Sequence, residues 1–145
     1  MSYLLDVNVL VSLFDEAHVH HGAAHEWFSA KSSLGWITCP ITENGLLRIL
    51  SNPAYPNDPL SMSDVAVRLE EFKIAALGHG FWSNDYSFSG WLAGEQLPIG
   101  SANSTDAYLL QLCKRNGGIL STFDRRIKPS LIGSKDNSLL EYIPA

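Results

Sequence analysis

With 145 residues, 46% of them hydrophobic, and a net charge of −5, the chain has the make-up of one folded domain able to bury about two-thirds of its unfolded surface. No stretch approaches the roughly 18 consecutive apolar residues of a membrane span. The N-terminus lacks the basic segment, apolar core and small-residue cleavage site of a signal peptide, so a cytoplasmic protein is expected.

The acid excess argues against a broadly basic nucleic-acid surface. Its distribution softens that objection: Lys114, Arg115, Arg125, Arg126 and Lys128 are five of the ten Lys and Arg residues. Cys39 and Cys113 sit among apolar neighbours with no metal or redox spacing, which predicts two buried thiols in a reducing compartment.

In chain order, Tyr3 to Val7 reads as a short strand buried on both faces, and Asn8 to Phe14 as the start of a helix. After a turn at Asp15-Glu16-Ala17, a second helix is predicted from about His18 to Lys31, with Ala24, Trp27 and Phe28 on its apolar side. Gly35 to Cys39 is a second strand, and Pro40 suits the first position of a helix running through Leu50. The prolines at 53, 56 and 59 end it. Ser61 or Ser63 can cap a helix to about Leu77, whose apolar face is Val65, Leu69, Phe72 and Ala76. Phe81-Trp82 is a brief strand, and from Asn84 to Gly100 the pattern offers only a helical turn at Trp91-Leu92-Ala93. Ser101 to Asn116 is helical and stops at Gly117-Gly118; Ile119 to Phe123 and Glu141 to Ile143 are the last strands. Strands alternating with helices indicate an α/β fold with a mostly parallel central sheet of about five strands covered on both sides.

Four carboxylates stand where apolar residues are expected. Asp6 interrupts Tyr3-Leu4-Leu5-Asp6-Val7, and a buried carboxylate is costly unless it is paired or binds a metal. Glu43 shares a helix face with Leu46, Leu47 and Leu50, and Asp106 shares one with Leu109, Leu110 and Cys113. Asp124 follows the strand at 119–122. In a parallel sheet the strand C-termini and the starts of the following helices line one edge, which predicts that all four meet in one crevice. Converging carboxylates raise one another's pKa unless cations lie between them. Oxygen-only ligands suit Mg²⁺ or Mn²⁺, and such a site suits phosphodiester hydrolysis by metal-activated water.

At these residues the sequence resembles the PIN-domain ribonucleases, and within them the VapC-type toxins of toxin–antitoxin pairs. The matching pieces are Leu4 to Leu10, Cys39 to Gly45, Thr105 to Leu110 and Ser121 to Arg125, in the family's order. The resemblance covers essentially all of residues 1–145 and implies a single PIN-like nuclease domain with three α/β/α layers. It also implies an Mg²⁺- or Mn²⁺-dependent endoribonuclease that forms a homodimer and is neutralised by a cognate antitoxin whose tail enters the active-site groove. Carried over residue by residue, Asp6 and Asp106 are expected as direct metal ligands, and Glu43 and Asp124 as ligands directly or through water. Asn8 matches a second polar position that orients a carboxylate or a water, and Thr122 is a supporting hydroxyl.

Arg125, Arg126 and Lys128 directly follow an acid of the quartet and are candidates for phosphate contact with RNA. His21 and His25 are spaced as a helical zinc pair, but Ser29 breaks the metalloprotease pattern, so the cluster at 18–25 is expected as a solvated face or a partner contact. Trp27, Trp36, Trp82 and Trp91 are expected mostly in the core. A phosphatase of the haloacid dehalogenase type would need an acid where Asn8 stands. A PIN nuclease of RNA processing, or a catalytically silent RNA- or partner-binding domain, remain the alternatives.

Overall fold

The computed structural model describes residues 2–83 and 86–145. Five strands form one sheet: β1 (Tyr3–Leu5), β2 (Trp36–Thr38), β3 (His79–Phe81), β4 (Ile119–Thr122) and β5 (Leu140–Tyr142), in the order β3-β2-β1-β4-β5. All four pairings are parallel, with Tyr3 opposite both Trp36 and Ile119. Among the described residues, six α-helices connect them: α1 (Val7–Phe14), α2 (His21–Lys31), α3 (Pro40–Leu50), α4 (Met62–Ala75), α5 (Phe88–Glu95) and α6 (Ser104–Asn116).

Alternation along the strands produces the layers. Tyr3, Leu5 and Trp36 pack with Val9, Leu13, Phe28, Leu46 and Leu69 from α1 to α4. Leu4, Ile37 and Leu120 point the other way, onto Leu109, Leu112 and Cys113 of α6 and onto Ile127, Ile132 and Leu139. A strand buried on both faces reads as an apolar run, and that is the signal the sequence carries here. Three layers, α/β/α, follow.

The boundaries differ from the sequence expectation for local reasons. β1 stops at Leu5, because Asp6 is the N-cap of α1 and its Oδ1 accepts the Val7 N–H at 2.8 Å. The second helix starts at His21 rather than His18: residues 15–20 are turns, in which Asp15 accepts the Ala17 N–H and His18 Nδ1 accepts the His20 N–H. β3 begins two residues earlier than Phe81, and β5 one residue earlier than Glu141. The turn expected at 91–93 lies within α5, whereas Asn84, at the head of that weakly patterned stretch, lies outside the described residues. Ser101–Asn103 is a 3₁₀ turn that precedes α6, and Gly117, at φ +68°, closes that helix in the left-handed conformation.

Helices α1 and α3 approach closely where Gly45 faces Val7. A Cβ on Gly45 would lie 2.7 Å from Val7 Cγ2, so the absence of a side chain there sets the distance between the two helices that carry Asp6 and Glu43. Among the described residues, no helix is long and apolar enough to cross a membrane.

Candidate active site

Asp6 sits between β1 and α1 and is buried, at 8% exposure. Its Oδ2 accepts the Thr122 hydroxyl at 2.7 Å and, more weakly, the Asn8 amide at 3.4 Å. Asn8, the second residue of α1, also donates to Thr122 Oγ1 at 3.1 Å and accepts the Phe123 N–H at 3.3 Å. Thr122 Oγ1 accepts the Asp124 N–H at 3.0 Å. The hydroxyl proton goes to Asp6 and both lone pairs are used, so Thr122 fixes Asp6, Asn8 and the backbone of Asp124 at once. The two supporting polar residues expected from sequence therefore bind the ends of β1 and β4 into one network.

Burial raises the Asp6 pKa above its ordinary value; the Thr122 and Val7 hydrogen bonds oppose this, and the charge of Asp124 adds to it. Asp106, in the first turn of α6, is pushed up to about 6, first by burial and then by the charges of Asp6 and Asp124, against a smaller opposing effect of Arg126. Asp124 goes the other way. The Arg126 side chain holds it below the usual carboxylate range through a two-pronged contact, Nε to Oδ1 and Nη2 to Oδ2, each at 3.0 Å. Asp106, Asp124, Arg126 and Lys128 line a cleft of about 360 Å³ with Asn103 and Ser130.

Glu43 is positioned differently. Pro40 occupies the first position of α3, and the Thr42 hydroxyl accepts the Cys39 N–H at 3.0 Å, which places Glu43 in the first turn. Its Oε2 accepts the Thr38 hydroxyl at 2.6 Å and meets Lys73 Nζ, from α4, at 2.8 Å. Asp6, Asp106 and Asp124 thus feel one another's charge, while Glu43 is turned to a lysine that the sequence reading did not single out. A signal for it was there, since Lys73 falls on the same helical stripe as Leu69 and Phe72. Thr38 and His79, joined at 2.8 Å, were missed as well.

Among the described residues, no three His, Cys, Asp or Glu side chains stand as a ready-made metal cage. Two of the four acids face cationic side chains instead, Asp124 toward Arg126 and Glu43 toward Lys73. Asp6 and Asp106 have no such partner in the charges that shift them, apart from the minor influence of exposed Arg126 on Asp106. Hard oxygen donors that repel one another and are short of positive charge are a donor set that a divalent cation fits. Cys39 and Cys113 are buried and free, with burial pushing the Cys113 thiol well up.

The remaining candidates resolve into local roles. Arg125 and Lys128 lie over the Tyr142 ring, 5.4 and 5.3 Å from its centroid. His21 Nδ1 reaches the Ser12 carbonyl at 2.8 Å and His25 Nε2 the Leu13 carbonyl at 3.3 Å. These rings satisfy carbonyls left open at the C-terminal end of α1, so they are not a merely solvated face. His20 stacks on Phe123 with ring centroids 4.8 Å apart. Trp27 and Trp36 are core residues, and Trp82 and Trp91 are half-buried.

An acidic edge on a five-stranded parallel sheet, reached from β1, β4 and the starts of α3 and α6, is the arrangement expected of a PIN domain. The chain belongs to that family: the PIN domain model matches residues 3–129. It is 41% identical to Ribonuclease VapC38 of Mycobacterium tuberculosis over 123 residues, covering 83% of this chain and 84% of the relative. It is also similar to Ribonuclease VapC39 of Mycobacterium tuberculosis, 40% identical across 90% of this chain and 94% of that one. Ribonuclease VapC44 of the same organism is 38% identical, with 88% and 89% covered.

Proposed function

We propose that this chain is a divalent-metal-dependent endoribonuclease, the toxin of a VapBC-type toxin–antitoxin pair, with residues 1–145 forming one nuclease domain. The observation that carries this reading is the placement of Asp6 and Asp106 at the C-terminal edge of a PIN-family sheet, both held above the ordinary carboxylate pKa, Asp6 by burial and the charge of Asp124, Asp106 by burial and the charges of Asp6 and Asp124. The names of the similar ribonucleases support the choice of RNA as substrate.

Asp6 and Asp106 would hold the cation directly, with Glu43 and Asp124 joining directly or through water. When bound, Mg²⁺ or Mn²⁺ supplies an activated water and stabilises the leaving oxygen of the phosphodiester. The chain's own residues provide the rest. Thr122 and Asn8 fix the rotamer of Asp6, and Thr122 also holds the Asp124 backbone. Arg126 and Lys128, at the mouth of the cleft, are placed to meet backbone phosphates, with Arg125 beside them on Tyr142. We further propose that the protein works in the cytoplasm as a homodimer and that a cognate antitoxin occupies this groove.

Cleavage of structured RNA should stop when EDTA is added and resume with excess Mn²⁺. Asp6→Asn should lose cleavage and the growth arrest caused by expression while keeping its circular dichroism spectrum. EDTA-resistant cleavage that survives Asp6→Asn would overturn the metal-dependent site. Cleavage without growth arrest would overturn the toxin role and leave a nuclease.

A further inference from the structure

We propose that Lys73 is a positioning residue that sets how much of the Glu43 charge is available to the cation site, sharing its ammonium between Glu43 and Glu70. The inference rests on the metal-binding reading above and names a control on that same site.

Lys73 is largely withdrawn from water, with a side chain 15% exposed, and it bridges two acids: Nζ lies 2.8 Å from Glu43 Oε2 and 2.6 Å from Glu70 Oε2. The acids are unequal. Glu70 shares α4 with Lys73 and is 66% exposed, whereas Glu43 belongs to α3 and is 20% exposed. A lysine needing only a helical neighbour has one in Glu70 at i−3. The reach to α3 is additional, and it ends on the acid that the family pattern places in the metal set.

Glu43 Oε2 is committed twice, since it also accepts the Thr38 hydroxyl at 2.6 Å. Because that hydroxyl gives its proton to Glu43, it must accept from His79 Nε2, 2.8 Å away. A chain of contacts therefore runs His79, Thr38, Glu43, Lys73, Glu70 across β3, β2, α3 and α4. Phe81 closes its far side, with its ring centroid 5.9 Å from Lys73 Nζ. Both the direction and the charge of Glu43 are held from the side opposite Asp6 in the strand order.

This geometry predicts opposite effects of two substitutions on one bridge. Without the ammonium, Glu43 offers its full charge to the cation. Without Glu70, the ammonium falls on Glu43 alone.

The test is calorimetric titration of MnCl₂ into the full-length protein, with thermal melting to confirm folding. Lys73→Met should bind Mn²⁺ about fivefold more tightly, the scale of one partly exposed ion pair. Glu70→Gln should bind roughly twofold more weakly by the same reasoning, and Lys73→Arg should match wild type. In a Glu43→Gln background, Lys73→Met should change nothing. Equal or weaker binding by Lys73→Met, or the same gain in the Glu43→Gln background, would overturn the proposal. Should Lys73→Met not fold, Glu70→Gln decides, and unchanged affinity there overturns it. If wild type neither binds Mn²⁺ nor melts higher in its presence, the metal reading falls and this inference with it. Wild-type binding without the split removes this inference alone.

Discussion

Replacing Thr122 with Val deletes one buried hydroxyl and keeps the side-chain shape. That hydroxyl donates to Asp6 Oδ2 at 2.7 Å and accepts from the Asn8 amide at 3.1 Å and the Asp124 N–H at 3.0 Å. A hydrogen bond to a carboxylate contributes about 1.5–3 kcal/mol, and leaving a backbone donor without its partner costs about 1 kcal/mol more. The expected loss is therefore about 2–4 kcal/mol, which for a chain of this size lowers Tm by roughly 5–12 °C. Thr122→Ser keeps the hydroxyl and gives up only a methyl group, worth about 1 kcal/mol in a core. The difference between the two variants, measured by calorimetric melting in EDTA at pH 7.5, isolates the hydrogen bonds. Burial already raises the Asp6 pKa and Thr122 is the foremost opposing influence, so Thr122→Val should raise it further. A Thr122→Val protein that melts within 2 °C of Thr122→Ser would refute the idea that this hydroxyl organises the site.

Two further outcomes are expected. A carboxylate with a raised folded-state pKa binds its proton more tightly folded than unfolded, so its stabilisation is present below the unfolded value and is lost as pH rises through the folded one. For Asp106 that window runs from 3.8 to about 6. His18 and His79, lowered by burial, act in the opposite sense, so the informative quantity is the Tm difference between Asp106→Asn and wild type in EDTA. It should move in favour of Asp106→Asn between pH 4.5 and 7 and reverse when Mn²⁺ is added; a constant difference would contradict the reasoning. Gly45→Ala should destabilise by about 1–3 kcal/mol through the clash with Val7, despite a helix-propensity gain of about 1 kcal/mol. Val7→Ala should restore part of that loss, and a Gly45→Ala protein as stable as wild type would show that α1 and α3 can separate freely.

Much of this site was legible because the misfit of a charge in an apolar run is a local property. Asp6 and Asp106 announce themselves by their neighbours, and the parallel sheet tells where strand ends collect. Asn8 and Thr122 were legible as polar positions, though the single hydroxyl joining them to Asp6 and Asp124 was not. Periodicity could mark Lys73 as a lysine on an apolar stripe but not name its partner, because that depends on α4 packing against α3. The contacts of the histidines at 21 and 25 were hidden for a similar reason: what they touch are backbone carbonyls of α1, which carry no sequence signature. The shift of the second helix start to His21 has the same origin, since turns at 15–20 are built from side-chain contacts of Asp15 and His18.

The sheet order has a consequence for when the molecule becomes able to act. β1 lies between β2 and β4, and Asp6 takes its closest side-chain hydrogen bond from a residue 116 positions later. A chain still on the ribosome that has grown only through β3 carries Asp6 and Glu43 but neither Asp106, Thr122 nor Asp124. Pairing of β4 beside β1 is a long-range event that depends on nearly the whole sequence. Synthesis that ends before residue 106 therefore yields polypeptides with only two of the four acids, and the constellation is complete only when most of the message has been translated.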